Sequence, residues 1–202
     1  MAGLQKVTGR AVALERSDVD TDQIIPAAWL KRVERTGFAA GLFEAWRADP
    51  SFVLNQPGAD QATIMVTGAN FGCGSSREHA VWALQDYGFQ AVVAPSFADI
   101  FRNNAISSGL VPAQVSAEGS ARLFAALAAD AAAEVVVDVT ARTVSIAAAG
   151  LVEPFALADF AQWRLLEGLD DIALSLRHED AISAYEVSRR PWLPTLAPTE
   201  TA

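Results

Sequence analysis

Soft metal ligands are scarce in this 202-residue chain, which has one cysteine, Cys73, and two histidines, His79 and His178. A single thiol cannot form an intrachain disulfide or supply the several thiolates of an iron–sulfur cluster, and beside two histidines it argues against a zinc site. Clustered positive charge is also missing. The 15 Lys and Arg residues are scattered among 24 Asp and Glu, for a formal charge of −9. No nucleic-acid partner is expected, because phosphate binding draws its affinity from grouped cations. No apolar run approaches the roughly 18 residues of a membrane span. Thr8, Gly9 and Arg10 interrupt the opening MAGLQKVTGRAVAL, so no secretory signal is expected. The reading is a cytoplasmic chain with no membrane partner.

What is present is the composition of a compact fold, 51% hydrophobic and 19% charged, enough for one substantial core. The run ATIMVTG (62–68) reads as a strand, followed by a glycine loop and a helix in SSREHAVWALQDYG. The order repeats in AVVAP (91–95) and SFADIFRNNAISSG, where Ser96 is expected to cap a helix, and LVPAQV supplies a third strand. Strands alternating with helices this closely predict an α/β fold with a partly parallel sheet. Further on come an alanine-rich helix in SARLFAALAADAAA, a hairpin from EVVVDVT and TVSIAA, and helices in LADFAQWRLLEGL and HEDAISAYEVSRR. RADPSFVLNQPGAD (47–60) reads as a loop. Proline in the closing PWLPTLAPTETA opposes regular structure, so the expected division is a body over 1–188 and a mobile tail over 189–202.

The densest polar stretch is NFGCGSSREHA (70–80). Ser75 and Glu78 have the spacing of an S-x-x-E capping box, which by itself is an ordinary helix start. Gly72 and Gly74 permit close backbone approach, and a helix N-terminus favours an anion. Arg77 adds a planar fork suited to a carboxylate or phosphate. The P-loop pattern is absent, since no lysine precedes the serine pair, and the third glycine of a dinucleotide fingerprint is absent too. A carboxylate fits better: loop amides, the Ser76 hydroxyl and Arg77 would hold it, leaving Ser75 to face the reacting carbon. Cys73 as a nucleophile would need a histidine base, and His79 on the same helix is poorly placed to reach back. A small residue packed under the loop is the plainer reading of Cys73.

A second cluster, DVDTDQIIP, alternates Asp18, Asp20 and Asp22, which on an extended segment share one face. It reads as a solvated loop; three carboxylates also suit a hard cation, but no twelve-residue calcium loop follows, so no metal is assigned to this chain.

Taken together, DTDQIIP, then NFGCGSSREHA, APSFADIF and NN resemble the 3-isopropylmalate dehydratase small-subunit family of the aconitase superfamily, and WLKRVERTGF and DYGF point to its bacterial branch. The likeness runs from TGRAVAL to HEDAISAYE. It implies a single swivelling β/β/α domain over 1–188, like the last domain of aconitase, with a mixed sheet and flanking helices. It also implies a small dicarboxylate substrate and a large-subunit partner that carries a [4Fe–4S] cluster, so that no cofactor is bound by this chain. By position in the motif, Ser75 is implied as the catalytic base and Ser76 and Arg77 as substrate-carboxylate contacts. Asp20 and Asp22 match the acidic turn bordering the site. Trp29 to Thr36, with Leu30 and Thr36 as contacts, match the loop that selects the substrate side chain, Trp29 standing where the branch has phenylalanine. The implied reaction is a hydro-lyase isomerisation in leucine biosynthesis. The alternatives are a sister hydro-lyase acting on citraconate, dimethylmalate or homoaconitate, or an anion-binding module with no chemistry.

Overall fold

The runs ATIMVT and AVVA lack polar alternation, as strands covered on both faces should, whereas LVEPFA alternates buried and exposed residues. The computed structural model describes residues 3–32, 36–75 and 77–189. The chain divides into two compact units, Met1–Asp170 and Asp171–Ala202. In chain order the first contains β1 (Lys6–Leu14), α1 (Thr21–Ile24), α2 (Glu44–Arg47), β2 (Ala62–Thr67), α3 (Glu78–Tyr87), β3 (Ala91–Ala94) and α4 (Asp99–Ser108). It continues with β4 (Val111–Val115), α5 (Ala117–Ala129), β5 (Glu134–Asp138), β6 (Thr143–Ile146), β7 (Leu151–Ala156) and α6 (Asp159–Glu167). The second unit holds α7 (Asp171–Leu176) and α8 (Glu179–Val187). Apart from Arg189, the expected tail over 189–202 lies outside the described residues.

The mixed sheet closes into a barrel of order β1-β2-β3-β4-β7-β6-β5. The pairs β1–β2, β2–β3 and β3–β4 are parallel. The other four are antiparallel, with the hairpin β5–β6 among them as expected and β1 against β5 completing the ring. Closure is not foreseen from the sequence, because Lys6 to Arg10 find their partners in Asp138 to Glu134, far along the chain.

Side-chain alternation sorts the strands into two apolar sets. Val7, Ile64, Val93, Ala113, Val137, Val144 and Phe155, one from each strand, meet in a single cluster that fills the barrel and is joined by Leu123 and Leu127 of α5. Met65, Val92 and Ala94 point the other way, into a second cluster with Phe38, Leu42, Phe43, Phe71 and Leu84. The segment 47–60 is a loop punctuated by short 3₁₀ turns, and its Phe52 and Leu54 pin it to this second cluster.

Three loops follow the C-terminal ends of the parallel strands β1, β2 and β3, the end where open α/β sheets gather ligand-binding residues. They are laced together by backbone. The Asp18 amide donates to Ala69 O (2.9 Å), Gly68 N to Arg16 O (3.0 Å) and Phe71 N to Ser96 O (3.1 Å).

Candidate active site

The loop after β2 meets the loop after β1 through a short parallel bridge between Asp20 and Cys73. Gly72 N donates to Val19 O (2.8 Å) and Thr21 N donates to Cys73 O (2.9 Å). Gly72 is required twice over: its φ of +76° is left-handed, and a Cβ there would lie 2.3 Å from the Phe101 ring. Asn70, at φ +57°, is held by its amide to Ser96 Oγ (2.8 Å) and by Nδ2 to Asp18 Oδ1 (2.8 Å).

Two expected caps are absent. Helix α3 begins at Glu78 with Arg77 at its N-cap in extended conformation and no side-chain cap, so the Ser75–Glu78 capping box does not form. The reason is tertiary: the buried Thr21 hydroxyl donates to the Ser75 carbonyl (2.5 Å) and draws Ser75 toward the other loop. Likewise α4 starts after Ala98 without a side-chain cap, because Ser96 Oγ serves Asn70 instead. Among the described residues, then, no side-chain cap closes the positive end of the α3 first turn, an end that favours an anion. The amides of Phe71 and Gly72, by contrast, are already committed to backbone carbonyls.

The alternating aspartates do not share a face. Asp20 is the N-cap of α1: it accepts from Gln23 N (2.7 Å) while Gln23 Oε1 accepts from Asp20 N (3.0 Å), a reciprocal capping box. Asp18 faces Asn70, and Asp22 pairs with Arg77 Nη2 (3.1 Å). Each carboxylate thus has a different partner, and among the described residues no group of three or more His, Cys, Asp and Glu could hold a metal ion.

Arg77 is the hub. Its Nε donates to Ser75 Oγ at 3.1 Å while Nη2 engages Asp22, with the Arg77 side chain 22% exposed and that of Asp22 55%. Among the described residues no hydrogen bond or ion pair engages Nη1, which can donate to a further acceptor. Ser75 itself is exposed. Cys73 is half-buried, and burial, then Asp20 and Asp18, push its thiol above the ordinary value, opposite to what a nucleophilic cysteine needs. The ring of His79 packs on Phe38 (5.4 Å) and Trp82 (4.7 Å).

Of the site residues expected from sequence, Asp20, Asp22, Ser75 and Arg77 are brought together. Ser76 lies outside the described residues, as do 33–35. Leu30 is half-buried on a 3₁₀ turn, Ala27–Lys31, and Thr36 is exposed. The hydrogen bonds and ion pairs around Arg77 do not extend to either among the described residues. That turn is held by Trp29, whose Nε1 donates to Glu44 (2.7 Å) and whose ring lies under the Arg32 guanidinium (4.4 Å). Sequence reasoning misses Thr21 and Gln23. The D-x-x-Q spacing of Asp20 and Gln23 is a readable capping signal; the Thr21 hydroxyl has none.

Residues 1–118 match the aconitase C-terminal domain family, and residues 171–199 match the C-terminal domain of the 3-isopropylmalate dehydratase small subunit. The 3-isopropylmalate dehydratase small subunit of Frankia casuarinae is 62% identical over 190 residues, covering 94% of this chain and 96% of the relative. That of Thermobifida fusca is 57% identical over 187 residues, covering 93% and 95%. The crystal structure of 3-isopropylmalate dehydratase from Methanocaldococcus jannaschii aligns with a TM-score of 0.67 at 28% identity, over 90% of this chain and 99% of that one. A domain match over more than half of the chain and relatives this similar along nearly all of it lead to one conclusion: the chain belongs to the 3-isopropylmalate dehydratase small-subunit family of the aconitase superfamily.

Proposed function

We propose that the chain is the small subunit of a 3-isopropylmalate dehydratase, a hydro-lyase of leucine biosynthesis that converts 2-isopropylmalate to 3-isopropylmalate by removing and returning water. It works in the cytoplasm with a large subunit and has no nucleic-acid partner. Ser75 is the base that takes the proton α to a carboxylate. Arg77, with Ser76, holds that carboxylate, Asp20 and Asp22 border it, and Leu30 and Thr36 belong to the loop that selects the side chain. Cys73 alone cannot hold a [4Fe–4S] cluster, so the residues of this chain do not fit that group, and this reading assigns it to the large subunit.

The observation that carries the reading is the contact from Arg77 Nε to Ser75 Oγ beside the uncapped α3 N-terminus. A serine hydroxyl acts as a base only as the alkoxide. A helix N-terminus contributes about 0.3–2 kcal/mol, while one pKa unit is worth about 1.4 kcal/mol, so the helix alone moves the hydroxyl by little more than a unit. A guanidinium donating directly to that oxygen stabilises its charged form further, the more so once a partner excludes water.

The test is to produce the chain with a cluster-bearing large subunit and compare kcat/KM for 2-isopropylmalate, citraconate, dimethylmalate and homoaconitate. Preference for 2-isopropylmalate, lost in Ser75→Ala, is the expected result. Preference for another of the four acids assigns the chain to a sister enzyme, and no turnover of any leaves the anion-binding module.

A further inference from the structure

A cavity of about 760 Å³ in the first unit lies away from the Ser75 loop. It lies between α4, the β4 and β7 strands and the start of α6, and none of its walls comes from the loops that carry Asp20, Ser75 or Arg77. Its volume falls in the range of roughly 300–1,000 Å³ typical of small-molecule sites.

Two properties of its lining stand out. The apolar part includes Ile106, Phe155 and Phe160, and Phe160 is left 58% exposed at the surface. The charged part is entirely cationic: Arg102, Arg142 and Arg164 line the groove and no Asp or Glu does, in a chain whose formal charge is −9. Arg164 is 9% exposed, with its Nε donating to Leu169 O (3.3 Å). Arg102 and Arg142 sit nearer solvent. Their carboxylate partners, Asp99 and Asp159, are 83% and 93% exposed, so both pairs are of the weak, screened kind. In Arg142 the Asp159 and Gln162 contacts engage Nη2 alone, and among the described residues no hydrogen bond engages Nε or Nη1.

We propose that this groove binds a small carboxylate with an apolar body, at a site separate from the Ser75 loop. The carboxylate meets the Arg102 and Arg142 guanidinium groups, displacing little from their exposed aspartates. The body lies against Ile106, Phe155 and Phe160. The two guanidinium groups of Arg102 and Arg142 beside an apolar wall select against cationic ligands and favour an anion over its neutral isostere.

The experiment uses phenylacetate and 4-methylpentanoate as probes, with phenylacetamide as the neutral control, titrated calorimetrically into the full chain and into its complex with the large subunit. Saturable binding of both acids is expected, with the amide weaker by about tenfold or more. The Arg102→Gln/Arg142→Gln double variant and Ala158→Trp, which fills the mouth from an exposed position, are each expected to weaken binding by about tenfold with unchanged thermal unfolding. Absence of saturable binding up to about 10 mM, equal binding of the amide, or indifference to both variants would overturn the proposal. Binding to the free chain that vanishes in the complex would also overturn it, making the groove a subunit interface.

Discussion

The Thr21 hydroxyl donates to the Ser75 carbonyl at 2.5 Å, across 54 positions of sequence. With the Thr21 amide on Cys73 O, one buried residue grips the glycine loop at two points and fixes where the Ser75 side chain stands. Thr21→Val keeps the shape and removes the hydroxyl. Stability is expected to fall by about 1 kcal/mol, the net worth of one hydrogen bond. In the assembled enzyme kcat is expected to fall up to about 10²-fold with a smaller change in KM, because the loop binds substrate but presents the base off position. Thr21→Ser restores kcat; a variant with normal kcat would show that Ser75 is positioned by something else.

Ser75 does not cap α3, and this separates its roles. Ser75→Ala is expected to leave urea stability within about 0.5 kcal/mol, whereas Ser116→Ala, which removes the real cap of α5 on Gly119 N (2.9 Å), costs about 0.5–2 kcal/mol. Turnover in the assembled complex is expected to follow the opposite order.

How much of this is legible in the sequence follows from the range of the interactions. Strands β2 and β3 are readable because burial on both faces leaves an apolar mark on the residues themselves. The grouping of the two polar clusters is likewise implied by the motif resemblance. The start of α3 is not, since S-x-x-E predicts a local cap and a threonine 54 positions away pulls the serine out of it. The three aspartates mislead for the reverse reason: alternation suggests an extended face, while the local D-x-x-Q box makes a helical turn. Barrel closure depends on β1 meeting β5, and no nearby residue announces it.

Gly72→Ala combines a left-handed backbone with a clash against Phe101, so a loss of about 2–5 kcal/mol is expected in urea unfolding. Gly150→Ala is the control. Its φ of +60° is also left-handed but nothing lies within 4 Å of the added carbon, so the cost is the backbone share alone, about 1–2 kcal/mol.

Glu153 of β7 is almost covered, its side chain 5% exposed, and receives Arg122 of α5 in a two-pronged contact. The Arg122 hydrogen bond holds the Glu153 carboxyl below its usual range, and Lys6 does the same for Asp138. A lowered folded-state value means stability that is present above the unfolded carboxylate value and lost as pH falls through the folded one. Unfolding midpoints are therefore expected to be flat from about pH 7 to 5 with respect to these groups and to drop below about pH 4. Glu153→Gln is expected to be less stable than wild type at neutral pH and to converge with it in acid. A constant gap at all pH values would remove the ion pair from the explanation.

Cys73 is expected to react slowly with iodoacetamide at neutral pH, with an inflection above the free-thiol value of about 8.5, because burial and two neighbouring carboxylates disfavour the thiolate. Labelling as fast as free cysteine at pH 7 would contradict that environment.

The ring of strands also sets a schedule for the nascent chain. Lys6 pairs with Asp138 and Arg10 with Glu134, so the first strand made is completed by the fifth. At about 5–20 residues per second, β1 waits on the order of ten seconds for that partner, with one edge open to pairing with other chains. Only β2 arrives sooner to cover its opposite edge, in parallel register from Arg10 to Leu14. During synthesis, then, the residues at risk of intermolecular pairing are Lys6 to Arg10, and their Lys6, Gly9 and Arg10 are poor aggregation partners by charge and by lack of side chain.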